Sequence, residues 1–207
     1  MNIVPYITIG WCIILCLFEY FLQKRYKTRD KIKKKFCYLD NYNITMYNFY
    51  KLITSLVTHT NFMRHFIPNL IITAAIGSLL ECLIGHYKFL LYSICCLFIY
   101  WPIIYLFRIK SITGCGFSSI FYSFFSIYFC VKAIKEDNKQ TQIIYLLSPF
   151  IILIVIHVVG RIKNSSSEFI HVLSLLYGYI IGIYEYSKYT NIIEDKINTL
   201  NSNNSGY

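Results

Sequence analysis

Charge is scarce in this chain: only 14% of its 207 residues are Asp, Glu, Lys or Arg, and only ten are acidic. Set against 56% hydrophobic residues gathered in long blocks, that scarcity excludes an ordinary soluble domain and points to a membrane. Cys-x-x-Cys is missing, and so is any Cys/His spacing suited to a metal. The eight cysteines (Cys12, Cys16, Cys37, Cys82, Cys95, Cys96, Cys115 and Cys130) lie mostly inside apolar blocks, where they read as small buried hydrophobes. Neither a structural disulfide, nor a metal site, nor a cofactor is expected. No aromatic-basic domain is evident, which argues against nucleic acid as a partner. The first apolar block also lacks the preceding basic residues and the small-residue cleavage site of a signal peptide, so it is expected to be retained as a helix.

What charge there is sits unevenly. The net +10 comes largely from the run Lys24 to Lys35, which holds eight of the twenty Lys and Arg residues. Beside a span, such a run contacts anionic lipid headgroups or sets topology. Apolar blocks at residues 3–22, 62–84, 89–107, 117–133, 143–159 and 169–186 predict an all-α membrane protein, a bundle of six transmembrane helices. Residues 1–22 form the first helix, 23–50 a basic and polar loop, 51–186 a core with helices two to six, and 187–207 a polar, disordered tail. The fourth block covers only about 25 Å at 1.5 Å per residue, against a hydrocarbon core of about 30 Å. Its amino end is therefore expected below the membrane surface, in a protein- or water-lined cavity.

Residues able to do chemistry fall on three of these blocks. His65 and Asn69, at i,i+4 on the second, share one helical face, and polar groups facing lipid are costly, so they are expected to face the interior or a hydrated cavity. Ser118 opens the fourth block with Tyr122 one turn on, and Gly116, Ser119, Ser123 and Ser126 make a small-residue stripe. The sixth carries Ser174-x3-Gly178-x3-Gly182, with His171 one turn earlier. Small-residue seams let two helices approach closely, and packing these two is expected to bring His171 to Ser118. A serine with a neutral histidine is the minimum for nucleophilic acyl transfer, and His65 with Asn69 would supply donors for the oxyanion. The plainer readings are that membrane serines back-bond or pack, and that a lone histidine relays protons or joins helices. His86 and His157, near span ends, read as interfacial.

Taken together these residues resemble the rhomboid family of intramembrane serine proteases. The family's histidine-x3-asparagine on its second span is matched by His65 and Asn69, and its Gly-x-Ser-Gly on the fourth by Gly116-Phe117-Ser118-Ser119. The sixth-span histidine followed by small residues three and seven positions on is matched by His171, Ser174 and Gly178. Lesser marks also match: Tyr50-Lys51 stands where a Trp-Arg precedes the first-loop histidine, here His59, and Glu81, Gly85 and Tyr122 keep the family's spacings. The resemblance covers about residues 50–182.

It implies a serine endopeptidase that cleaves transmembrane segments of membrane-protein substrates by a Ser-His dyad. Ser118 would be the nucleophile and His171 the general base; the Ser118 N–H, His65 and Asn69 would hold the oxyanion, and Tyr122 would orient His171. No acidic third member is implied. Glu81, Gly116 and Gly178 would be structural, Glu81 tying down the second span and the loop before it. The chain also departs from the pattern. His59 and His65 are separated by five residues rather than four, Pro68 falls between the oxyanion candidates, Lys51 replaces an arginine, and Ser119 and Ser174 replace glycines. With the active-site end facing away from the cytosol, most of the Lys and Arg would lie outside, against the positive-inside tendency. A catalytically weak or inactive relative that binds membrane clients is the alternative. A proton-coupled transporter using His65 and His171 lacks inverted-repeat symmetry and paired intramembrane acids.

Overall fold

A computed structural model of the chain describes residues 4–26, 28–32, 35–36, 39–40, 50–59, 61–106, 111–112, 117–160, 170–185 and 187–188. Gly116, Cys37, Cys115 and the tail beyond Lys188 lie outside the described residues.

Helix α1, Tyr6–Arg25, starts after Pro5, whose fixed φ and missing N–H suit a helix start. It runs three residues past the apolar block, because Gln23, Lys24 and Arg25 are good helix formers and the cations sit against the carbonyl end. A single turn, α2 (Arg29–Ile32), precedes a short antiparallel ladder of β1 (Leu39–Asp40) and β2 (Ser111–Ile112), with Leu39 opposite Ile112. Two residues per strand leave the fold class all-α.

After α3 (Tyr50–Val57), Asn61 opens a π-helical turn over Phe62–Phe66, its Oδ1 accepting the Arg64 N–H at 2.8 Å. The Phe66 N–H bonds the Asn61 carbonyl at 2.9 Å, an i to i+5 closure. Such a turn holds one residue more than an α turn. It takes up the extra residue between His59 and His65, and it hands on to α4 (Ile67–Ile84) with Pro68 in the first turn, where a missing N–H costs little. Helix α4 stops at Gly85, whose φ of +86° an L side chain would resist; its N–H bonds the Glu81 carbonyl, and α5 (His86–Leu106) begins at the next residue.

The remaining helices are α6 (Ser118–Ile134), α7 (Lys139–Gly160) and α8 (Ile170–Glu185). Among the described residues two helical stretches, Tyr6–Arg25 and Phe62–Ile84, are long and apolar enough to cross a bilayer; His86–Phe98, Ser118–Ile134, Lys139–Val155 and Ile170–Glu185 are shorter apolar helices. Only 22% and 28% of the two long windows are buried, whereas the core helix of a soluble protein would be mostly covered. Helix α6 is different: Ile120, Phe121, Ser123, Phe124, Ile127 and Cys130 are buried around its circumference, and it packs on α4, α5 and α7. It is the axis of the bundle.

Candidate active site

The site begins where α6 begins. Phe117, ahead of the helix, packs against Trp11 of α1 with ring centroids 5.6 Å apart and the rings tilted by 48°. Trp11 lies fourteen residues, about 21 Å along the axis, before the basic end of α1 at Arg25. The start of α6 is thus recessed within the bundle. Among the described residues no side chain caps α6, and the ladder of a helix leaves its first N–H groups open, so the Ser118 N–H is a donor at the recessed end.

Helix α8 brings the second group. Its small residues lie hard against α6: a Cβ on Gly178 would come within 2.4 Å of the Ser123 carbonyl oxygen, and one on Gly182 within 2.3 Å of the Cys130 Cβ. The Ser123 Oγ donates to the Ser174 carbonyl at 3.0 Å across the same seam. Ser174, in place of a glycine, does not hold the helices apart, because its Oγ turns back to the Ile170 carbonyl at 2.6 Å. This close approach sets His171 one turn above Ser174, where its Nε2 lies 2.9 Å from the Ser118 Oγ. The Tyr122 ring lies 4.6 Å from the His171 ring, tilted by 45°, and both residues are buried.

Helix α4 brings the third. Ile72 packs on the cluster of Phe121, Tyr122, Leu153 and Leu175. One turn back along each of the two helices are Asn69 and Ser118. Asn69 is 4% exposed, and among the described residues its Nδ2 has no hydrogen-bond partner. A buried donor left open is costly unless something arrives to accept from it. His65, one turn earlier, is half-buried, its ring 5.2 Å from that of His59.

His59 does more than the spacing of a sequence motif suggests. It is fully buried, and its Nε2 accepts the Phe117 N–H at 3.4 Å, so its proton is on Nδ1. It links the turn before α4 to the residue before Ser118. Its match to the first-loop histidine of the rhomboid pattern was the signal for it.

Glu81 ties α4 to α1, a contact the sequence did not announce. Its carboxylate is fully buried and accepts the Ile7 N–H at 2.9 Å, the Thr8 N–H at 2.7 Å and the Thr8 hydroxyl at 2.7 Å, and it meets His86 Nδ1 at 2.6 Å. It binds α4 to the first turn of α1, where a carboxylate satisfies the open N–H groups of a helix start. His86 is accordingly its partner. Glu185, at the foot of α8, accepts from Lys88 and from the Tyr92 hydroxyl on α5.

The family model described as Rhomboid domain matches residues 47–188, more than half of the chain. No curated protein matches the sequence.

Proposed function

Because the chain belongs to the rhomboid family, we propose that it is an intramembrane serine endopeptidase, crossing the bilayer six times and cutting transmembrane segments of other proteins. The family acts on transmembrane substrates within the bilayer. The observation that carries the reading is the 2.9 Å contact between Ser118 Oγ and His171 Nε2 at a recessed helix start.

In this reading Ser118 Oγ attacks the scissile carbonyl carbon while His171 Nε2 takes the hydroxyl proton. The carbonyl oxygen becomes an oxyanion, held by the Ser118 N–H, the open Nδ2 of Asn69 and His65. His171 then gives its proton to the leaving amide nitrogen, and an acyl-enzyme remains. Water, deprotonated by the same imidazole, releases the second product and restores Ser118. The Tyr122 ring keeps the imidazole from swinging away between steps. On the lipid side, Lys24, Arg25, Lys31 and Lys35 are exposed, and Lys35 lies 5.6 Å and 5.9 Å from the centres of the Tyr26 and Phe36 rings. Cations standing on aromatic rings at the end of a span suit anionic headgroups.

The test is cleavage of a defined transmembrane substrate by the purified protein in detergent. Activity abolished by Ser118→Ala and by His171→Ala supports the reading; cleavage that survives either change sinks the mechanism. A wild-type protein that binds the substrate and never cuts it is the inactive, client-holding member instead.

A further inference from the structure

At the end of the bundle away from Ser118, helices α6, α7 and α8 enclose a cavity of about 300 Å³. That volume is at the lower end of ordinary ligand sites. Ala133, Ile134, Leu146 and Ile183 line it, with Cys130 and Gly182 beside them and Gln142 as a polar member. The Gln142 side-chain amide is engaged, donating to the Glu136 carbonyl in the turn between α6 and α7.

Contacts among the three helices wall this space off. Gly182 lies hard against Cys130, which joins α8 to α6. The Phe129 and Tyr145 rings, with centroids 6.2 Å apart, join α6 to α7. The Tyr179 hydroxyl donates to the Leu146 carbonyl, and the Tyr179 ring stacks on Phe150 at 5.2 Å, which joins α7 to α8. The mouth is marked by the lining residues that stay open: Leu146 is 42% exposed and Ile183 is 62% exposed. Ile143 and Ile180, also exposed, continue an apolar surface beside it. In a membrane protein that surface meets lipid.

An apolar cavity left empty forfeits packing contacts, and water finds few partners in it. A hydrocarbon chain suits it better. The charge around the adjoining turn says which lipid carries that chain. Lys135, Lys139 and Lys188 are exposed and Lys132 is half-buried at this end of the bundle. The acids there are Glu136 and Asp137, since Glu185 accepts from Lys88. Cations therefore prevail next to the mouth. We infer that the cavity binds an anionic phospholipid. One acyl chain enters between Leu146 and Ile183, and the phosphate head meets Lys135 and Lys139 at the membrane surface. A chain seated there braces α8 against α6, the pair of helices that carries His171 and Ser118.

Photo-crosslinking tests this. The full chain, delipidated in detergent, is mixed with phosphatidylglycerol carrying a diazirine in one acyl chain, irradiated, and mapped by peptide mass spectrometry. Adducts are expected to concentrate on residues 130–134, 142–146 and 182–183. Unlabelled dioleoylphosphatidylglycerol is expected to compete about five-fold better than dioleoylphosphatidylcholine, the order expected of a lysine at an anionic membrane surface. Lys135→Gln combined with Lys139→Gln is expected to remove that preference. Ala133→Leu, which fills part of the cavity, is expected to cut the adducts about ten-fold, the loss of roughly two buried methylenes. Ala133→Val is expected to cut them less, and a melting curve of each variant checks folding. Adducts spread evenly over the exposed helix faces, equal competition by the two lipids, or a pattern unchanged in folded Ala133→Leu or Ala133→Val overturns the inference. Cleavage plays no part in this readout, so a failure of the protease reading is told apart from a failure of the lipid site.

Discussion

Gly178 and Ser123 are in backbone contact: a single added carbon on Gly178 would stand 2.4 Å from the Ser123 carbonyl oxygen. That atom belongs to a helix backbone and has no rotamer to escape into. Gly178→Ala is therefore expected to push α8 off α6, at a cost of about 1–3 kcal/mol, as overpacked cores pay. His171 rides on the same helix, so turnover is expected to fall more than stability does, by ~10²-fold for a misplacement near 1 Å. Melting temperature and kcat measured on one preparation separate the two effects.

Asn69 makes the opposite forecast. Among the described residues its Nδ2 has no partner, so they give the resting fold no hydrogen bond from it. Asn69→Ala is expected to lower kcat by about 10²–10³ and to leave KM and melting temperature nearly unchanged. A large drop in melting temperature would assign Asn69 to the scaffold.

Glu81 belongs to the scaffold. It accepts three hydrogen bonds from the first turn of α1 and contacts His86. Glu81→Ala leaves those donors stranded and is expected to destabilise the protein by about 3–5 kcal/mol, the range for breaking a buried charged contact. Thr8→Val removes one hydroxyl from the same cluster and is expected to cost about 1.5–3 kcal/mol. Thermal unfolding in detergent reads both, and kcat of the surviving folded fraction is expected to stay close to wild type.

Tyr122 meets His171 through its ring. Tyr122→Phe keeps that face and is expected to hold kcat within about two-fold, while Tyr122→Ala lets the imidazole turn and is expected to cost about ten-fold or more. Equal losses in both variants would transfer the role to the hydroxyl.

What could be read in the sequence follows from how local each signal is. Long apolar blocks announce helices, because a bilayer demands them, and the end of α4 at Gly85 needed only a glycine at the right place. His65-x3-Asn69 and the small-residue seam of Ser174, Gly178 and Gly182 are likewise local patterns. Contacts between distant segments left no such trace. Glu81 is seventy-three residues from Thr8, and its contact with α1 is written in the packing of two helices. The π turn was hidden for another reason: a one-residue excess between His59 and His65 can be absorbed in several ways, and the Asn61 cap with its i to i+5 closure selects one.

The central claim is that Ser118 is a nucleophile activated by His171. A fluorophosphonate probe added to intact membranes, followed by mapping of the modified peptide, tests it most directly. The account predicts an adduct on Ser118 that disappears in Ser118→Ala and is strongly reduced in His171→Ala. No adduct on Ser118, or labelling indifferent to His171→Ala, would contradict it.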